Sequence, residues 1–96
     1  MEILTEKQKK FKEQELNKIH KWTLKNIDEK AVKNQNSVRF TFGRNFYHVY
    51  PKPYQEAYIL YCGKGCILDY ICEPTKSLKS IKKLMTTIRD IYLEKV

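Results

Sequence analysis

Glycine and proline are scarce in this chain: 96 residues contain only Gly43, Gly63, Gly65, Pro51, Pro53 and Pro74. None lies before Gly43, so the N-terminal part carries no strong breaker, and no linker or low-complexity segment divides the chain. Arginine is nearly absent from a basic composition, with Arg39, Arg44 and Arg89 the only ones among 19 basic residues. Lysine neutralises phosphate as a point charge, whereas the arginine fork reads guanine edges, so any nucleic-acid contact should be mainly backbone-directed. Acidic residues number 11, which leaves a net charge of +8. That imbalance favours polyanionic partners.

Long apolar runs are also missing. Nothing approaches the roughly 18–20 residues of a membrane span, and MEILTEKQKK lacks the apolar centre of a signal peptide. A cytoplasmic protein without a membrane partner is expected. Cys62, Cys66 and Cys72 are an odd number without secretory context, which argues for reduced thiols rather than a disulfide framework. Their x3 and x5 spacing departs from a zinc knuckle, and adding His20 or His48 does not make a convincing ligand set. No metal or other cofactor is expected.

Hydrophobic residues at 42% and charged residues at 31% are globular values, and the length suits a single domain over 1–96. The breaker-free stretch predicts a helix over about 5–33, opened by Thr5 as N-cap. Alternating aromatic and β-branched residues predict strands at about 37–43, 46–50, 56–62 and 66–72. The turns between them are Gly43-Arg44-Asn45, a ladder break at Pro51-Lys52-Pro53, and a Gly63-Lys64-Gly65 loop. Leu78, Ile81, Met85, Ile88 and Tyr92, with Leu84 and Ile91 beside them, predict an amphipathic helix over about 75–95. The fold class is α+β: a long N-terminal helix, a four-stranded antiparallel meander and a C-terminal helix.

Both faces of the last two strands read as apolar or aromatic. One carries Tyr58, Leu60, Cys62, Cys66, Leu68, Tyr70 and Cys72; the other carries Ala57, Ile59, Tyr61, Ile67, Asp69 and Ile71. Two helices on opposite faces would account for this. Two helices on one face would leave an aromatic surface for a partner or a homodimer seam.

At about 100° per residue, the first helix places Leu16, Ile19, Thr23, Leu24, Ile27 and Ala31 on a core side. Lys7, Lys10, Lys18, Lys21 and Lys25, with Gln14, form a stripe opposite. Trp22, the only tryptophan, falls on the shoulder of that stripe, with Phe11 on the same shoulder. Glu15 stands near enough to pair with Lys18.

Burial against the chain's own residues is the ordinary fate of such aromatics, and solvation that of such lysines. Cations beside an aromatic plane are also what single-strand binders use, phosphate on the one and an unpaired base on the other. A second basic set, Lys76, Lys79, Lys82 and Lys83, opens the last helix against the preference of its dipole. There it would deepen the attraction of a helix N-terminus for phosphate.

No nucleophile, base and orienter come together, and GKG between strands is not a P-loop, so no enzyme is expected. The leading expectation is a small module binding RNA or single-stranded DNA. It would act as an accessory or inhibitory factor of a larger nucleoprotein machine. The candidate contacts are Lys7, Lys10, Lys18, Lys21, Trp22, Lys25, Tyr47, Lys76, Lys79 and Lys83. Richness in Lys, Asn and Ile points to an AT-rich bacterial, phage or mobile-element genome. The competing expectation is a protein-binding adaptor or inhibitor that docks an aromatic sheet face, or the Phe11/Trp22 shoulder, on an acidic partner.

Overall fold

In the computed structural model, residues 4–64 and 67–95 are described, the side chains of 64, 67–73 and 95 excepted. Helix α1 spans Glu6–Asn26 and helix α2 Leu78–Lys95. Between them lie β1 (Val32–Lys33), β2 (Val38–Phe42), β3 (Asn45–Lys52), β4 (Ala57–Lys64) and β5 (Ile67–Thr75). The strands form one five-stranded antiparallel meander in chain order. The α+β class is as expected, with one strand more than the four anticipated.

The start of α1 follows from local chemistry. Thr5 Oγ1 accepts from the Gln8 amide at 3.1 Å and Gln8 Oε1 accepts from the Thr5 amide at 2.9 Å, a complete capping box. Its end does not follow from the sequence. The helix stops at Asn26 rather than near 33, because Asp28 forms a side-chain turn: Oδ1 accepts from the Lys30 amide at 2.9 Å and Oδ2 from the Thr41 amide at 3.2 Å. Arg89 of α2 donates to the Asn26 carbonyl at 2.6 Å, a cation on the carbonyls of a helix C-terminus. The residues released from the helix pair as β1 with β2.

The strand limits also differ from expectation. Phe42 pairs with Asn45, so the first loop is two residues long, and Gly43 supplies its positive φ of 62°. Pro51 and Lys52 lie inside β3, and the break begins at Pro53. Gly63 and Lys64 belong to β4, since Lys64 pairs with Ile67; the loop residues Gly65 and Cys66 are outside the described residues. Pairing of Lys64 with Ile67, three residues out of step with the anticipated Cys62–Cys66 closure, sets Tyr70 opposite Tyr61 and Asp69 opposite Cys62, and register shifts follow only beyond Tyr61. A single alternation across the hairpin had assigned them the other way. Helix α2 starts at Leu78 rather than 75, with the Ser77 hydroxyl accepting from the Ser80 amide at 3.1 Å.

Both helices pack on the same face of the sheet. Leu16 and Ile19 of α1 and Ile81 and Met85 of α2 share one core with Val38, Phe40, Val49 and Leu60. Phe40 and Tyr47 stack within it at 5.1 Å between ring centroids. Because Ile27 and Ala31 enter this core from outside α1, they no longer define its buried face. The buried arc is rotated by roughly a fifth of a turn toward Phe11, Glu15 and Trp22. Leu24, expected in the core, is consequently 37% exposed, whereas Glu15 is buried.

The buried Glu15 carboxylate accepts the Tyr58 hydroxyl and lies 3.3 Å from Lys18 Nζ. Burial, then the Glu15 hydrogen bond and charge, push the Tyr58 phenol well above its usual range. Replacing Tyr58→Phe leaves the carboxylate without its buried donor and should cost about 1–3 kcal/mol in denaturant melts. Adding Glu15→Leu should recover part of that loss. Thr23 is buried with a hydroxyl that finds no partner among the described residues. Thr23→Val should therefore hold or raise stability by up to about 1 kcal/mol, and a clear loss would reveal a partner for the hydroxyl.

Candidate nucleic-acid interface

Lys18, Lys21, Lys25, Trp22 and Asn26 line one shallow depression on the outer side of α1. The indole is half-buried, its inner part packed against the core. Lys82 of α2 brings its ammonium to 5.3 Å from the indole ring centre, a cation–π contact worth roughly 0.5–1 kcal/mol where solvent reaches it. Two further bonds hold the place where the helices meet: Asn26 Nδ2 donates to the Trp22 carbonyl at 2.9 Å, and Arg89 grips the Asn26 carbonyl. Lys18 is paired with Glu15, while Lys21 and Lys25 make no ion pair among the described residues. No carboxylate lines the depression.

The other half of the lysine stripe faces a different concavity. Lys7 and Lys10 line a groove between the first turns of α1 and the β3–β4 loop, with Phe11, Pro53, Tyr54 and Lys76. Glu6 and Glu56 also line it, so its field is mixed. Phe11 packs against Tyr58 at 6.2 Å. The expected Phe11/Trp22 shoulder is thus divided between two concavities and is not one continuous surface.

Lys79 and Lys83 are exposed on α2 and line neither concavity, and Lys76 lies ahead of the helix rather than in it. Tyr47 leaves the candidate set: it is 8% exposed, stacked on Phe40 under the helices, and no base can reach its ring. The sequence reading had placed Lys82 in the basic set without selecting it. Its approach to Trp22 depends on how the helices sit side by side, which no spacing within α2 reveals.

Neither described helix covers the opposite face of the sheet. Phe46, His48 and Tyr50 of β3 and Tyr61 of β4 lie on it, all half-exposed. Cys62 packs toward the helix-covered core while His48 lies on the other face, so the two cannot share a metal ion. His20 Nε2 is 3.1 Å from the Ala31 carbonyl, which fixes it as a donor. Among the described residues no three His, Cys, Asp or Glu side chains gather as metal ligands, and no helix is long and apolar enough to cross a membrane.

Comparisons with protein-family models, curated proteins and solved structures find no match for this chain. The functional reading accordingly rests on its own geometry.

Burial, and after it the charge of Arg39, hold the His48 imidazole below its usual value of 6.5. The fold favours the neutral ring, so the unfolded chain takes up the proton first as pH falls. The stability this confers is complete above about pH 6.5 and is lost as pH drops from there toward the folded-state value. Thermal midpoints should fall between about pH 7.5 and 5.5, and His48→Gln should flatten that fall. An identical slope in the variant would assign the dependence to other groups.

Proposed function

We propose that this chain is a small basic module that binds RNA or single-stranded DNA mainly through phosphate. In the cell it would serve as an accessory or inhibitory factor of a larger nucleoprotein machine. One observation carries the reading: Lys18, Lys21 and Lys25 of α1 surround a half-buried Trp22, with Lys82 of α2 at 5.3 Å from its ring and no carboxylate among the lining residues. Cations from two helices converge on one aromatic side chain. The net charge of +8 adds long-range attraction for a polyanion. The adaptor alternative has less support at this site, because Phe11 and Trp22 do not form one docking surface.

The test is binding of a labelled single strand and of a duplex while salt is varied. Affinity should fall steeply between about 50 and 200 mM salt. Changing Lys18, Lys21 and Lys25 together to Glu should weaken binding and reduce the log–log salt slope by about 2 for a single strand. Binding should also quench Trp22 fluorescence. Absence of any binding near 50 mM salt, where such contacts are strongest, removes the proposal.

A further inference from the structure

The face of the sheet away from the helices is unused by the site above, and its chemistry is unlike that of an ordinary solvated face. Across the sheet, Arg39, His48 and Tyr61 stand opposite one another in register; along β3, Phe46, His48 and Tyr50 follow at alternate positions. Neighbouring rings touch: Phe46 to His48 at 6.3 Å, His48 to Tyr50 at 5.8 Å, and Tyr50 to Tyr61 at 5.2 Å. Ile59, the register partner of Tyr50, is 1% exposed although neither described helix packs on it, and it lines a cleft with Lys52, Tyr54 and Tyr61 at the end of this face. Phe46 stands between Thr41 and Gly63, whose small side groups leave its ring prominent.

Two cations are held against these rings. The Arg39 guanidinium lies 4.8 Å from the centre of Phe46, and Lys52 Nζ lies 5.7 Å from the centre of Tyr50. Among the described residues of β2, β3 and β4 on this face, no carboxylate accompanies them. We infer that this face is a second nucleic-acid surface, on which unpaired bases stack on Phe46, Tyr50 and Tyr61 while Arg39 and Lys52 meet the flanking phosphates.

Charge argues for this occupant over a second copy of the chain. Face-to-face pairing would set two such basic faces against each other, with no acid among the described residues of β2, β3 and β4 on either, in a protein already carrying +8. Nucleic acid supplies both missing complements, the anion for the cations and a π-face for the rings. A duplex keeps its bases stacked inside and would offer phosphate alone, so the surface selects unpaired strands. The inference rests on the proposed function but adds a separate surface, since the sheet and the helix layer both lie between it and the Trp22 depression. A short strand of about six nucleotides would occupy one surface, and a longer one could reach both.

The experiment compares Phe46→Ala, Tyr50→Ala and Tyr61→Ala with the ring-preserving Tyr50→Phe and Tyr61→Phe, and with the helix variant in which Lys18, Lys21 and Lys25 become Glu. Anisotropy of labelled single strands of about 6 and 20 nucleotides reads affinity, and circular dichroism verifies folding. Each Ala variant should lose at least about fivefold in affinity for the single strand with its salt slope unchanged, and each Phe variant should stay within about twofold of the parent. Where an Ala variant unfolds, Tyr50→Leu keeps apolar bulk without the ring and should show the same loss.

Parent-like binding by the Ala variants, alongside loss in the lysine variant, overturns this inference and leaves the helix site standing. The reverse pattern upholds the inference and removes the helix site. No binding by the parent chain removes both. A parent dimer that the Ala variants convert to monomer, with unchanged affinity for the strand, marks the face as a self-association seam and overturns the inference.

Discussion

Two amphipathic helices from opposite ends of the chain share one face of a single sheet, and the other features of the molecule depend on that placement. Leu16 and Ile19 from α1 and Ile81 and Met85 from α2 close over Val38, Phe40, Val49 and Leu60. Burying apolar side chains of this size contributes roughly 1.5–3 kcal/mol each, which gives both helices reason to compete for the same apolar face. With both on one side, their polar surfaces point outward together, and neither described helix covers the other side of the sheet. The molecule thereby has two unlike surfaces, one rich in lysine and one in aromatic rings.

The join between the helices is polar. Arg89 reaches across to the Asn26 carbonyl at the end of α1, and the same junction places Lys82 beside Trp22. A cation at a helix C-terminus is favourable electrostatically, so the device that ends α1 also fixes the position of α2. Glu15 performs a comparable task at the other side of α1, tied to the sheet through Tyr58 and to the surface through Lys18. Its Oε1 takes the Tyr58 hydroxyl, while Oε2 makes no hydrogen bond among the described residues and has the Lys18 ammonium at 3.3 Å as its counter-charge.

Charge is distributed by the same logic. Lys12 bonds to Asn36, and Lys33 is held by Glu13 and Asn17, which spends these lysines on fastening α1 to the segment around β1. Lys21 and Lys25 have no such internal task among the described residues. Lys12 on α1 and Lys33 on β1 both serve the contact between these elements, whereas Lys21 and Lys25 stand on the outer side of α1, which makes that stripe the natural place to seek a polyanion.

Features set by neighbours a few residues apart were legible in the sequence. The Thr5 N-cap, the glycine turn at Gly43, the alternation of the first hairpin and the Ile81/Met85 stripe of α2 all depend on local geometry. The sequence by itself determined the α+β class, the antiparallel order and the basic outer stripe of α1. Tertiary structure decided where α1 ends, because Asp28 needs the Thr41 amide and Arg89 must arrive from 63 residues away. It likewise decided that β1 exists, that Tyr47 is buried, and that Trp22 sits at the edge of the core with a lysine from the other helix beside it. Periodicity shows that an element has an apolar side, but which sheet face that side meets depends on contacts distant in sequence, and these settle only when the whole core closes.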